Sequence, residues 1–287
     1  MREIDLSSHQ PPKRTTVLSY GQMRSGKTRW AATWPRPLFL SDATEGGWTT
    51  IKNMDRNVLW EPDVVPRVWA IDTAADMMQA LGDVEPLIKQ NQVQTLVIDS
   101  LTFYNDLYLA MLCRVAAQGG RQPDMRRVYG NLGQHLRELR IRVHNLDTNV
   151  VWLCLAKQPD DSNPMGGPMI SGQQAQKFSA GCDYILYHRA YQPTPNDPHY
   201  FEIRTRRYSQ YAAGGRDEFK LPDPLAYVSQ DAETGEDIWV GDCTYRTFAE
   251  ALGLLTPPTT QQQPAGQPVG VGRAPNQASG KAALSSR

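Results

Sequence analysis

The sequence predicts an α/β fold with a mainly parallel central sheet flanked by helices, and three stretches carry that prediction. Residues 15–20 read as a strand that enters the glycine-bearing run Gly21-Gln22-Met23-Arg24-Ser25-Gly26-Lys27-Thr28, and a helix follows that stops before Pro35. Thr95-Leu96-Val97-Ile98-Asp99-Ser100 is an apolar run with an acid at its end, as a buried parallel strand would show. Asn149-Val150-Val151-Trp152-Leu153-Cys154-Leu155-Ala156 is a third such run, ending in Lys157-Gln158. Helical periodicity lies between these strands, which is the pattern of βα units.

The first run has a chemical reading. Two glycines with four residues between them, followed by Lys and Thr, form the phosphate-binding loop pattern. Glycines let the backbone wrap so that several N–H groups point at one anion, and the following helix adds its positive end. Residues 21–28 are therefore the expected nucleotide cradle: Gly21, Gln22, Met23, Arg24, Ser25, Gly26, Lys27 and Thr28. Lys27 can reach the β- and γ-phosphates, and the Thr28 hydroxyl can ligate Mg²⁺. Asp99, at a strand tip some seventy residues later, is the expected acid for the same Mg²⁺.

Taken in order, residues 1–14 read as a flexible leader closed by Pro11-Pro12. Pro35-Arg36-Pro37 is a turn and Leu38-Phe39-Leu40 a short buried strand. The chain then runs through Ser41-Asp42-Ala43-Thr44-Glu45-Gly46-Gly47, at the end of a strand where open α/β sheets bind ligands. Glu45 is placed there to act as a base or to orient water near the γ-phosphate; as a bare loop residue it would have no such role. Asp99 is followed by Ser100, where many nucleotide-driven motors carry Glu, and this puts more weight on Glu45. Residues 51–63 read as loop and 64–71 as a strand. Asp72 or Thr73 caps a helix from Ala74 that carries Met77, Met78, Leu81 and Val84 on one face, and Pro86 is expected to kink or end it.

After a helix over 101–111, residues 113–130 combine Gly119-Gly120-Arg121 with Arg126-Arg127-Val128-Tyr129. That mixture suits a loop on a phosphodiester backbone with a stacked base, and equally a solvated connector. Residues 131–146 form an amphipathic helix with Leu132, Leu136, Leu139 and Val143 inward. Gln158, a polar amide at a strand tip, is a candidate sensor of the γ-phosphate, or simply the start of the long loop 159–168. A short helix from Gln173 to Phe178 carries Lys177, and 182–188 reads as a strand. Residues 200–208 alternate like a hairpin strand bearing Arg204 and Arg206, so the sheet ends in a carboxyl-terminal β-hairpin region. These arginines are surface charges, contacts across a subunit boundary, or nucleic-acid contacts. Gly214-Gly215-Arg216 reads as a turn, 237–240 as a strand, and Thr247 as the cap of a last helix over 248–254. Residues 256–287 are Pro-, Gln-, Gly- and Ser-rich and read as a disordered tail, which leaves 15–255 as the core.

The 30 basic residues balance 30 acidic ones, so bulk charge does not point to a polyanion. Four scattered cysteines without a paired spacing argue against zinc and disulfides. Residues 1–14 have no apolar signal core, and no run is long enough to span a bilayer. The expectation is a soluble cytoplasmic protein with no membrane partner.

On the loop 21–28, the segment Thr44-Glu45-Gly46-Gly47 and the end Val97-Ile98-Asp99-Ser100, the chain resembles a RecA-like P-loop ATPase. The type is the minimal, core-only one that bacteriophages carry for recombination or single-strand annealing. The resemblance implies ATP and Mg²⁺ as cofactors, Lys27, Glu45 and Gln158 as catalytic groups, and Thr28 and Asp99 at the metal. It implies single-stranded DNA on the loops 113–128 and 159–172, so Arg121, Arg126, Arg127 and Lys177 become candidate contacts. Arg204 and Arg206 fall where the family reaches a neighbouring subunit's nucleotide. The implied setting is a ring or filament of identical subunits, single-strand-binding or other recombination proteins as partners, and the host cytoplasm if the chain is phage-encoded. Two other classes remain open: a helicase-loading, packaging or partner-remodelling ATPase that does not bind DNA, and a small-molecule kinase.

Overall fold

The structure, a computed structural model, describes residues 14–255 except 43, 45, 119–121, 162–163, 172, 192–199, 217–219, 226, 231–236 and 241–242. The described residues belong to one compact unit that ends at Leu255. Apart from Arg14, the predicted leader lies outside them, as does the predicted tail.

In chain order the elements begin with β1 (Thr16–Gly21), α1 (Lys27–Ala32), β2 (Pro37–Ser41), α2 (Gly47–Lys52), β3 (Arg67–Ala70) and α3 (Ala74–Lys89). Then come β4 (Thr95–Asp99), α4 (Leu101–Ala117), α5 (Met125–His144), β5 (Asn149–Lys157), β6 (Gly167–Pro168) and α6 (Gln174–Ser179). The chain closes with β7 (Tyr184–Tyr191), β8 (Tyr200–Arg204), β9 (Gly214–Gly215), β10 (Tyr227–Gln230), β11 (Asp237–Val240) and α7 (Tyr245–Ala251).

The main sheet has the order β3-β2-β4-β5-β1-β7-β8. The first six of these strands are mutually parallel, and β8 turns back on β7 as the predicted hairpin. Short β6 and β9 add antiparallel pairs to β5 and β7, while β10 and β11 pair separately. This is the α/β architecture expected of the sequence, a mainly parallel central sheet flanked by helices with a β-hairpin toward its carboxyl-terminal side. A parallel sheet brings all strand ends of one kind to one edge. Gly21, Ser41, Asp99 and Lys157 therefore sit on the same edge, and β5 separates the loop strand β1 from the acid strand β4.

Strand alternation builds two cores. Leu18, Tyr20, Leu38, Leu40, Leu96, Ile98 and Trp152 face Met77, Leu81 and Val84 of α3 and Leu132, Leu136, Leu139 and Val143 of α5. Val17, Phe39, Val97, Val151, Leu153 and Leu186 face Trp30 and Trp34 at α1 and Phe248 of α7. Trp30 and Trp34 meet edge to face at 5.3 Å, and both are almost fully buried. Truncating such a ring costs about 3–5 kcal/mol, so the helix behind the phosphate loop is strongly anchored.

Several elements differ from the sequence reading. Residues 113–117 and 125–128 are helical, and only 118–124 connects α4 to α5. Asp124 caps α5 by accepting from the N–H groups of Arg126 and Arg127, and buried Val128 extends the apolar stripe of Leu132 by one turn. Helix α3 continues past Pro86 to Lys89, because the proline falls in its last turn and disturbs few bonds. Thr244 is the N-cap of α7, which buries Tyr245 and Phe248. Gly214–Gly215 pairs with β7 instead of turning. Helix α2 occupies part of what reads as loop.

Candidate functional site

The loop between β1 and α1 lies between Gly21 and Gly26, and both need to be glycine. A Cβ on Gly21 would lie 2.2 Å from the His188 carbonyl oxygen of β7. Gly26 has φ +82°, and a Cβ there would press on the Phe201 ring of β8 at 3.2 Å. Between them Gln22, Met23 and Arg24 are exposed, while the buried Ser25 hydroxyl donates to the Gln22 carbonyl at 2.8 Å.

Lys27 is buried and folded back on the loop. Its ammonium donates to the carbonyls of Gly21 at 3.0 Å and Gln22 at 2.7 Å. One residue on, the Thr28 hydroxyl donates to Asp99 Oδ2 at 2.9 Å, joining α1 to the tip of β4. Burial pushes the Asp99 carboxyl above the usual range; the Thr28 hydrogen bond and the Lys27 charge oppose it. A buried acid held this way gains most from a cation.

The residues fit Mg²⁺ and a triphosphate. Hydroxyl and carboxylate oxygens are hard donors, and Mg²⁺ typically takes one or two protein carboxylates and fills its shell from phosphates and water. Among the described residues no group of three or more His, Cys, Asp and Glu could hold a metal by itself. The backbone of Gly47, the first residue of α2, comes close to the same two groups: a Cβ there would lie 3.1 Å from Asp99 Oδ2 and 3.9 Å from Thr28 Oγ1.

Asp42, just beyond β2, is buried beside the same edge, and its N–H donates to the Asp99 carbonyl at 3.3 Å. Its carboxylate accepts from the Thr44 N–H at 2.9 Å and the Thr44 hydroxyl at 2.6 Å. Asp42 thus braces Thr44, and the position of Glu45 itself lies outside the described residues.

His188 sits beneath the loop, 1% exposed, and spatially opposite Gly21 in the β1–β7 register. Burial lowers its pKa to about 3, with Lys27 adding to the shift and a backbone hydrogen bond at Ser25 opposing it. It is a neutral prop for the loop. Sequence reasoning missed it, since a lone histidine inside a strand has no local signature.

The profile of a family described as an AAA domain matches residues 13–216, from just before the phosphate loop to beyond the hairpin. The chain belongs to this AAA-domain family. Its family is thus of the AAA type, a class of P-loop ATPases. No curated protein sequence matches this chain. Among solved structures, a KaiC-like protein from the hyperthermophilic archaeon Pyrococcus horikoshii OT3 is similar, at 14% identity over 82% of this chain and 92% of that one, with a TM-score of 0.35.

The other candidates of the AAA domain are spread over the fold. Gln158 follows the last residue of β5 and is exposed, accepting from the Tyr211 hydroxyl at 2.6 Å. Arg126 and Arg127 project from the first turn of α5 and are exposed, whereas Arg121 lies outside the described residues. Lys177 lies on α6. Arg204 is engaged at home: it pairs with Asp223 at 2.8 Å and Glu202 at 3.4 Å and lies over the Tyr208 ring. Arg206 is exposed just beyond β8. No helix among the described residues is long and apolar enough to cross a membrane.

Proposed function

We propose that this AAA domain hydrolyses ATP and uses the cycle on single-stranded DNA, in recombination, annealing or replication of the bacteriophage kind. The observation that carries the nucleotide part is the meeting of Lys27, Thr28 and Asp99 at one strand edge, where a side chain on Gly47 would crowd Asp99. Lys27 exchanges the two loop carbonyls for phosphate oxygens, a charge-assisted bond of roughly 1.5–3 kcal/mol. Thr28 and Asp99 would hold Mg²⁺, which would supply neutralisation of the triphosphate charge. Glu45 orients the attacking water. Gln158 reads the γ-phosphate.

The DNA part is supported by exposed Arg126 and Arg127 on α5 and by exposed Arg206 and Arg207 beyond β8. Assembly as a ring or filament would let Arg206 reach a neighbour's nucleotide, and recombination proteins such as single-strand-binding proteins are the natural partners. Exposed Val115, Met125 and Tyr129 on the same helical hairpin favour a second reading, an ATPase that remodels a protein partner.

The test is ATP hydrolysis by wild type and Lys27→Ala, with and without single-stranded DNA, alongside DNA affinity over a range of salt. The proposal expects DNA-stimulated hydrolysis, a steep salt slope and loss of turnover in the variant. Hydrolysis without DNA binding favours the remodelling reading. No Lys27-dependent hydrolysis rejects both.

A further inference from the structure

Three tyrosines connect the root of the phosphate loop to Gln158. Tyr20 immediately precedes Gly21 and pairs in register with Tyr187 of β7, their rings 5.3 Å apart. Tyr187 stacks on Tyr211 at 4.2 Å with the planes 6° apart. The Tyr211 hydroxyl donates to the Gln158 side-chain oxygen at 2.6 Å, and the Tyr20 hydroxyl donates to the Ala212 carbonyl at 2.5 Å. The column is thus pinned at both ends by hydrogen bonds.

Tyr211 also closes a surface loop. Its N–H and carbonyl bond reciprocally with the backbone of Tyr208, at 2.9 and 3.0 Å. The Gly166 N–H donates to the Gln210 carbonyl at 3.0 Å, and a Cβ on Gly166 would lie 2.4 Å from the Tyr211 ring. Tyr208 is held in turn by the Arg189 guanidinium, which donates to its hydroxyl at 2.6 Å, and by Arg204 over its ring. Arg206 and Arg207, both exposed, lead into this loop, and Arg207 touches Met165 of the 159–168 segment.

We infer that Tyr211 is a positioning residue that couples Gln158 to the Arg206–Arg207 loop, so that the nucleotide state at the phosphate loop sets the conformation of that loop. The physical reason is entropy. An exposed carboxamide on its own samples several rotamers, and a hydroxyl on an immobilised ring selects one. When Gln158 turns toward a γ-phosphate it must either give up the Tyr211 bond or carry the ring along. Either event disturbs the stack on Tyr187 and the Tyr208 bridge, and hence Arg206 and Arg207, which immediately precede Tyr208. The inference rests on the reading of Gln158 as the γ-phosphate sensor, and it does not need DNA.

The test uses Tyr211→Phe, which keeps the ring and removes only the hydroxyl. Trypsin cleavage after Arg206 and Arg207 is followed with ADP·Mg²⁺ and with a slowly hydrolysed ATP analogue, and binding of a fluorescent ATP analogue is measured in parallel. In wild type the two nucleotide states should differ in cleavage rate by about five-fold or more, the lower end of ordinary coupling. In Tyr211→Phe the ratio should fall toward one while analogue affinity stays within about two-fold of wild type. Gly166→Ala, which displaces the same ring, should behave alike. A wild-type ratio retained in both variants but abolished in Gln158→Ala overturns the role of Tyr211. A wild type that binds nucleotide with no difference between states overturns the coupling and leaves the ATPase reading standing. Absence of nucleotide binding removes both.

Discussion

Replacing His188 by Gln should flatten the acid side of the stability profile. His188 is buried as the neutral ring, with its pKa lowered to about 3, whereas an unfolded histidine titrates near 6.5. Between those values the unfolded chain takes up a proton that the folded chain refuses, so stability rises with pH through the window and is lost as pH falls from about 6.5 toward 3. At about 1.4 kcal/mol per pH unit, the cost of going from pH 7 to pH 5 is roughly 2 kcal/mol from this residue alone. His135, packed between Tyr104 and Tyr108, has its pKa lowered chiefly by burial and adds in the same direction, so the difference between wild type and variant isolates His188. Glutamine keeps a donor that can reach the backbone at Ser25. The assay is urea unfolding at pH 5, 6 and 7, compared by midpoint at constant slope. Parallel pH profiles in the two proteins would refute the placement of a neutral His188 under the phosphate loop.

Three further outcomes follow from the same geometry. Asp99→Asn should raise the unfolding temperature of the nucleotide-free protein at neutral pH, because a carboxyl whose pKa burial raises is a cost when ionised; the Mg²⁺-dependent part of ATP affinity should fall roughly ten- to a hundred-fold, seen by calorimetry with and without Mg²⁺. Gly47→Ala should weaken Mg²⁺·ATP binding by crowding Asp99, while denaturant stability moves by less than about 1 kcal/mol, since alanine favours the helix it begins. Glu45→Gln should bind ATP normally in equilibrium binding yet turn over about 10²–10⁴-fold more slowly, and ordinary turnover would assign the water to another group.

The phosphate loop and the acid strand were legible because each is a contiguous pattern whose chemistry fixes residue type. The sheet order was less so, since nothing in the spacing says that β5 lies between β1 and β4. Helix α2 was hidden by Gly46-Gly47-Trp48-Thr49-Thr50, a run of poor helix formers; Ile51 packed against the Trp30 cluster helps to hold it. Residues 113–128 misled through composition: glycine and arginine suggested a long loop, while the Asp124 cap and buried Val128 make helix. At the site, Thr28, Lys27 and Asp99 come together as their motifs require. The props of that site, His188, Phe201 and the Tyr20–Tyr187–Tyr211 column, depend on contacts between distant strands and leave no local mark in the sequence.

Soaking or co-crystallising the protein with a slowly hydrolysed ATP analogue and Mn²⁺, and recording the anomalous signal of manganese, tests the central claim most directly. The account predicts one strong peak between the Thr28 hydroxyl and the Asp99 carboxylate, with the triphosphate over residues 21–28 and the Lys27 ammonium turned from the loop carbonyls onto it. A manganese peak elsewhere, or a bound nucleotide with Lys27 still on Gly21 and Gln22, would contradict it.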